Sequence, residues 1–243
     1  MSDDDRPIGH LLTRRETLAL LGAGGLAALA GGSGGVRRAA AAAPGACIAR
    51  PALTEGPYFV DAKLHRSDIR SDPSDGAEKP GAPLRLALRV SRLGPGGCVP
   101  LPGATVDLWH CDALGAYSDV ADPGGSTVGK KFLRGYQVTD ADGLTRFTTI
   151  YPGAYPGRAV HIHFKVRSAA AGGRTHEFTS QLFFDDALTD QVHAQAPYAT
   201  RGRSRLRNAR DGSYRRAGGQ LTLAVTPAAP GYAASFDLAL QTA

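Results

Sequence analysis

The segment LRLALRVS, residues 84–91, places Leu84, Leu86, Leu88 and Val90 on one face and Arg85 and Arg89 on the other. That period of two is the pattern of a half-buried strand. GPGG at 94–97 then reads as a turn and ATVDLWH at 104–110 as a second strand. GYQVT (135–139) and RFTTI (146–150) flank the turn-forming DADG of 140–143. AVHIHFKV, FTSQLFF, LTLAV and FDLAL supply further strands, and DALTDQVHA (186–194) is the only plausible helix. Short strands punctuated by Gly and Pro predict an all-β chain, a β-sandwich of mostly antiparallel strands with long loops and little helix. DADG resembles part of a calcium loop but lacks the remaining ligands, so it is read as a turn.

The first 45 residues break this pattern. Arg14 and Arg15 precede a weakly apolar run of Leu, Ala and Gly ending near Ala30, and small residues follow in AAAAAPGA. This layout predicts a twin-arginine export signal over 1–45, a partner translocase, and delivery to the periplasm or outside the cell. PGAC before Cys47 is a poor lipid-attachment box. The export route carries folded proteins, which suits one that acquires a cofactor in the cytoplasm. Residues 46–243 are then one domain with no later segment apolar enough to span a bilayer. In an oxidising compartment three cysteines predict one disulfide. Cys98 and Cys111 flank a strand, so Cys47 is expected to pair with one of them. No C-x-x-C pair supports zinc.

The chain carries a net charge of +6, much of it from RGRSRLRNARDGSYRR at 201–216. Without aromatic platforms or a known module beside it, this run argues against nucleic-acid binding and reads as a solvated arginine loop.

The chemistry concentrates in YPGAYPGRAVHIHF, residues 151–164. His161 and His163, two apart on a strand, share a face roughly 7 Å apart at the Cα. Such a pair alone leaves copper, zinc and cupin sites open. A cupin needs a glutamate four residues after the second histidine, where this chain has Arg167. Tyr155 and Tyr117 add two phenolic donors. Phenolate is a hard anion suited to Fe(III). A phenol with a pKa of about 10 stays ionised at neutral pH only beside a strongly charged cation.

TEGPYF (54–59), VDLWHCDALGAYSD (106–119), TTIYPGAYPGRAVHIHF (148–164) and TSQLFF (179–184) stand in the order found in intradiol ring-cleavage dioxygenases. The chain resembles that family over most of 47–243. The resemblance implies a non-haem Fe(III) held by Tyr117, Tyr155, His161 and His163, and a small catecholic substrate opened by O2 between its two hydroxyl-bearing carbons to a cis,cis-muconate-type product. It implies that Tyr155 is released as substrate arrives and takes a proton from it. Arg158 then stabilises negative charge on the ring, Gln181 supports the site, and Gly56, Pro57 and Tyr58 line the substrate pocket. Trp109 reads as a core anchor. His110 matches no ligand, and His65, His176 and His193 show no partner. The short YPGR loop predicts an open pocket, and with the export signal it looks like the family's secreted branch. Only a short segment separates the expected signal from TEGPYF, where catechol-cleaving members of the family carry a helical dimerisation region, so that form of dimer is not expected here. The alternatives are a non-catalytic transthyretin-like sandwich and an iron- or copper-binding protein with another reaction.

Overall fold

The computed structural model describes residues 47–94, 96–122, 125–169, 173–201 and 205–241. The export signal expected over 1–45 lies outside them. Strand β1 (Pro83–Gly94) buries Leu84, Leu86, Leu88 and Val90, as its alternation requires. It is the spine of the first sheet. One edge pairs antiparallel with β7 (Leu144–Ile150) and then with β2 (Gly97–Pro100). The other edge pairs with β11 (Tyr232–Leu240), which in turn carries β10 (Ala224–Pro227). The β1–β11 pairing is parallel, the exception in an otherwise antiparallel sheet.

The second sheet runs β6–β3–β8–β9 and is antiparallel throughout, formed by β3 (Thr105–Trp109), β6 (Arg134–Val138), β8 (His161–Ala169) and β9 (Thr175–Phe183). A short hairpin, β4 (Ala121–Asp122) with β5 (Gly125–Ser126), lies apart from both sheets. Ile162, Phe164 and Val166 point from β8 into the core, where the Phe164 ring lies 6.2 Å from that of Phe236 on β11. The chain is an all-β sandwich. Because β8 alternates, His161, His163, Lys165 and Arg167 face away from that core, toward the loops that cover the second sheet.

Helix α1 (Asp186–His193) forms where expected, with Asp185 accepting from the Ala187 and Leu188 N–H groups at its start. The expectation of a single helix and a solvated arginine loop is corrected by α2 (Gly212–Ala217), inside the basic segment. Asp211 caps α2 and is fully buried, and the Arg205 side chain, only 6% exposed, pairs with Asp186 and Asp190 of α1. Burial against carboxylates therefore orders part of the segment. Cys47 is bonded to Cys98, leaving Cys111 reduced and buried. His193 also gains partners not foreseen: it donates to the Pro152 carbonyl at 3.0 Å and stacks on Tyr198 at 4.9 Å. Among the described residues no helix is long and apolar enough to cross a membrane.

Candidate metal centre

Strand register builds the floor of the site. Trp109 of β3 is opposite His163, and His163 is opposite Gln181 of β9, so the three lie in one row across the sheet. The Trp109 indole stacks on the His163 imidazole at 5.0 Å and 10°. It is a core anchor, and what it anchors is this histidine. His161, two residues earlier, brings its Nε2 to 2.9 Å from His163 Nε2. Its Nδ1 donates to the Ala159 carbonyl at 2.7 Å, which leaves Nε2 as a bare lone pair.

The tyrosines arrive from loops. Tyr155 Oη lies 3.2 Å from His161 Nε2. Tyr117 is 4% exposed, and its hydroxyl has no partner of hydrogen-bonding geometry. Its ring packs 5.5 Å from Tyr155 and 6.3 Å from His163. The two loops touch where Gly153 N–H donates to the Asp112 carbonyl at 3.1 Å. The Asp112 carboxylate in turn shapes the Tyr117 loop by accepting from the Leu114 and Ala116 N–H groups.

Electrostatics fit a cation among these four groups. Burial, aided by Arg158, holds His161 down to about 3, and burial with the His161 and Arg158 charges holds His163 well below the usual range. Both imidazoles are neutral donors at ordinary pH. Burial also pushes the Tyr117 and Tyr155 hydroxyls above their usual range. Only a strong adjacent positive charge would ionise them. The orphaned Tyr117 hydroxyl, the bare His161 Nε2 and the phenolic donors suit a hard, highly charged ion.

Arg158 stands beside this cluster. Its Nε donates to Asp211 Oδ2 at 2.9 Å and its Nη2 to Gln181 Oε1 at 2.5 Å, while Gln181 Nε2 is held by the Thr54 carbonyl at 2.9 Å. Burial acts to lower the guanidinium's pKa, but the phenol of Tyr155 and the Asp211 carboxylate outweigh it and raise the value. The Gly56-Pro57-Tyr58 turn covers the other flank. A Cβ on Gly56, where φ is +73°, would sit 3.6 Å from the His163 ring, and Tyr58 stacks on Tyr117 at 4.3 Å and 16°. Pro57 is exposed at the turn.

Two residues that sequence reasoning missed fix these walls. Arg134, buried on β6, donates to the Ser118 hydroxyl, the Ser118 carbonyl and the Tyr58 carbonyl, tying the Tyr117 loop to the turn. Lys165, 6% exposed on the same face of β8 as the histidines, pairs with Glu55 and lies 4.0 Å over the Phe59 ring. A lysine in the alternation H-x-H-x-K was the available signal for the second. His110 is occupied elsewhere, donating from Nδ1 to the Cys111 carbonyl and accepting at Nε2 from Thr149, which excludes it as a ligand.

A family model described as Dioxygenase matches residues 54–241, which takes in every residue of this site. The chain belongs to the intradiol ring-cleavage dioxygenase family. An intradiol ring-cleavage dioxygenase structure from Tetranychus urticae superposes with a TM-score of 0.69 at 30% identity, covering 81% of this chain and 96% of that one. The protocatechuate 3,4-dioxygenase beta chain of Burkholderia cepacia is 34% identical over 145 residues, 54% of this chain and 60% of its own length. Catechol 1,2-dioxygenase 1 of Acinetobacter lwoffii is 31% identical over 162 residues, 56% of this chain and 49% of its own. The chain thus spans about half to three-fifths of the length of these two relatives. Iron is the metal expected of intradiol dioxygenases, and the donor set fits it.

Proposed function

We propose that the protein is a non-haem Fe(III) intradiol dioxygenase that opens catecholic aromatics between their two hydroxyl-bearing carbons. The observation that carries this reading is the convergence of Tyr155 Oη and two imidazole Nε2 atoms within 3.2 Å steps, beside the orphaned Tyr117 hydroxyl. Bound there by Tyr117, Tyr155, His161 and His163, a ferric ion would supply the Lewis acidity that makes a catechol reactive toward O2.

The chain's own residues supply the rest. Tyr155 is less buried than Tyr117, so it is the side chain freer to swing, and as the phenolate that an adjacent cation would maintain it could accept a catechol proton at Oη. His161 does not take that role, because its one free lone pair, at Nε2, is the one that would hold the ion. The Arg158 guanidinium, pinned by Asp211 and Gln181, offers a fixed cation to negative charge building on the ring. Tyr58, stacked on Tyr117, gives the ring an aromatic wall. We also propose export through the twin-arginine route, carried by Arg14 and Arg15; replacing both with lysine should retain the protein in the cytoplasm.

The test is iron content with the visible spectrum. The purified protein should hold one iron per chain and be reddish, because tyrosinate-to-Fe(III) charge transfer absorbs visible light. Tyr155→Phe or His161→Ala should lose the colour and oxygen uptake with catechols. A colourless, iron-free protein after expression with ample iron contradicts the proposal.

A further inference from the structure

Asp211 sits in a segment of arginines, yet its carboxylate is fully buried and each oxygen has a separate task. Oδ1 accepts from the Ser213 and Tyr214 N–H groups at 2.8 and 3.0 Å, capping α2. Oδ2 accepts from Arg158 Nε and from the Ala159 N–H, both at 2.9 Å. The cap needs only an acceptor, and a neutral Asn or Ser would serve. The second oxygen reaches about 50 residues back along the chain to two neighbours that both bear on the site. Arg158 carries the guanidinium, and the Ala159 carbonyl fixes the His161 ring.

A guanidinium on a flexible stem is an effective electrostatic group only when its orientation is set before the reaction. Asp211 holds Nε and Gln181 holds Nη2, so the plane of the fork is fixed from two sides and Nη1 is the nitrogen neither bond occupies. We propose that Asp211 is a positioning residue for ring opening, which orients Arg158 through charge and geometry and is more than a helix cap. This inference rests on the ring-opening reading of the site.

Asp211→Asn keeps the volume and the cap while removing the charge. It should bind iron and show the tyrosinate colour like the wild type. Its kcat should fall by about tenfold or more with catechol KM little changed, the pattern of a contact made only in the transition state. In an Arg158→Met background the same substitution should have little further effect. In the iron-free protein, heteronuclear NMR should show a protected Arg158 Nε–H signal that disappears in Asp211→Asn. Wild-type kcat with an unchanged Nε–H signal would overturn the proposal. So would an equal loss in the Arg158→Met background, and so would failure to fold in both Asp211→Asn and Asp211→Ser: both keep the cap, so the Oδ2 bonds would then hold the fold rather than orient Arg158 for ring opening. A wild type that opens no catechol refutes the ring-opening reading instead, and the Nε–H signal then still decides whether Asp211 holds Arg158.

Discussion

Gly153 is where the two tyrosine loops meet, and Gly153→Ala drives them apart. A Cβ there would lie 2.4 Å from the Ala113 carbonyl oxygen and 2.5 Å from that of Asp112. Both obstacles are backbone, so no side chain can move aside. Ordinary contact begins near 3.4 Å, and the segments must part by about 1 Å. That breaks the Gly153 N–H bond to Asp112 and shifts Tyr155, two residues on, relative to Tyr117. Overpacking of this kind costs about 1–3 kcal/mol. For a domain of this size each kcal/mol lowers Tm by roughly 2–4 °C. Misplacing a ligand by about 1 Å is worth on the order of 100-fold in rate. The assay combines thermal unfolding, iron per chain and oxygen uptake, with Gly96→Ala as a control because its Cβ meets nothing within 4 Å. The variant should lose stability, iron occupancy and most of its turnover. Wild-type Tm, iron content and kcat would refute the idea that contact between the loops sets the spacing of the tyrosines.

Three other perturbations test separate parts of the structure. Cys98→Ser opens a bridge spanning 51 residues and should cost about 4 kcal/mol by loop entropy, read by denaturant unfolding with and without reductant; a reductant effect that persists in the variant would contradict it. Burial holds His110 down to about 4, so the unfolded chain binds a proton below about 6.5 that the fold refuses, and stability should fall as pH drops from 6.5 toward 4 by up to about 3 kcal/mol. His110→Gln should flatten that slope relative to the wild type, and an unchanged slope would reject the assignment. Lys165→Met unpairs Glu55 and should cost about 1.5–3 kcal/mol while raising catechol KM more than it lowers kcat, with iron content unchanged; an unaltered KM would show that the clamp does not shape the Gly-Pro-Tyr turn.

Local pattern carried much of this structure. The alternation of 84–90 is the spine of the first sheet, and H-x-H on a strand put two imidazoles on one face as the pleat dictates. Taken singly, Tyr117 reads equally well as a sandwich-edge tyrosine and Tyr155 as a turn residue. Only their order with the histidine pair, which resembles the family's, drew them together, and the fold brings both rings to that pair. What escaped were contacts between distant segments. The parallel pairing of β1 with β11 joins residues 84 and 232 and leaves no local trace. Separation along the strand between them argued against a Cys98–Cys111 bond, but only the fold chose Cys98 as the partner of Cys47. Asp211 hid in a run of arginines whose charge read as solvated, although D-G-S at 211–213 is a helix start signal. Arg134 belongs to an ordinary strand until its three carbonyl and hydroxyl partners are seen.

The product formed from catechol under isotopically labelled dioxygen decides where the ring opens. Ring opening between the hydroxyl-bearing carbons predicts cis,cis-muconate carrying both labelled oxygen atoms, with one dioxygen consumed per catechol. A semialdehyde opened beside the diol, or no oxygen uptake by an iron-loaded protein across a panel of catechols, would contradict it.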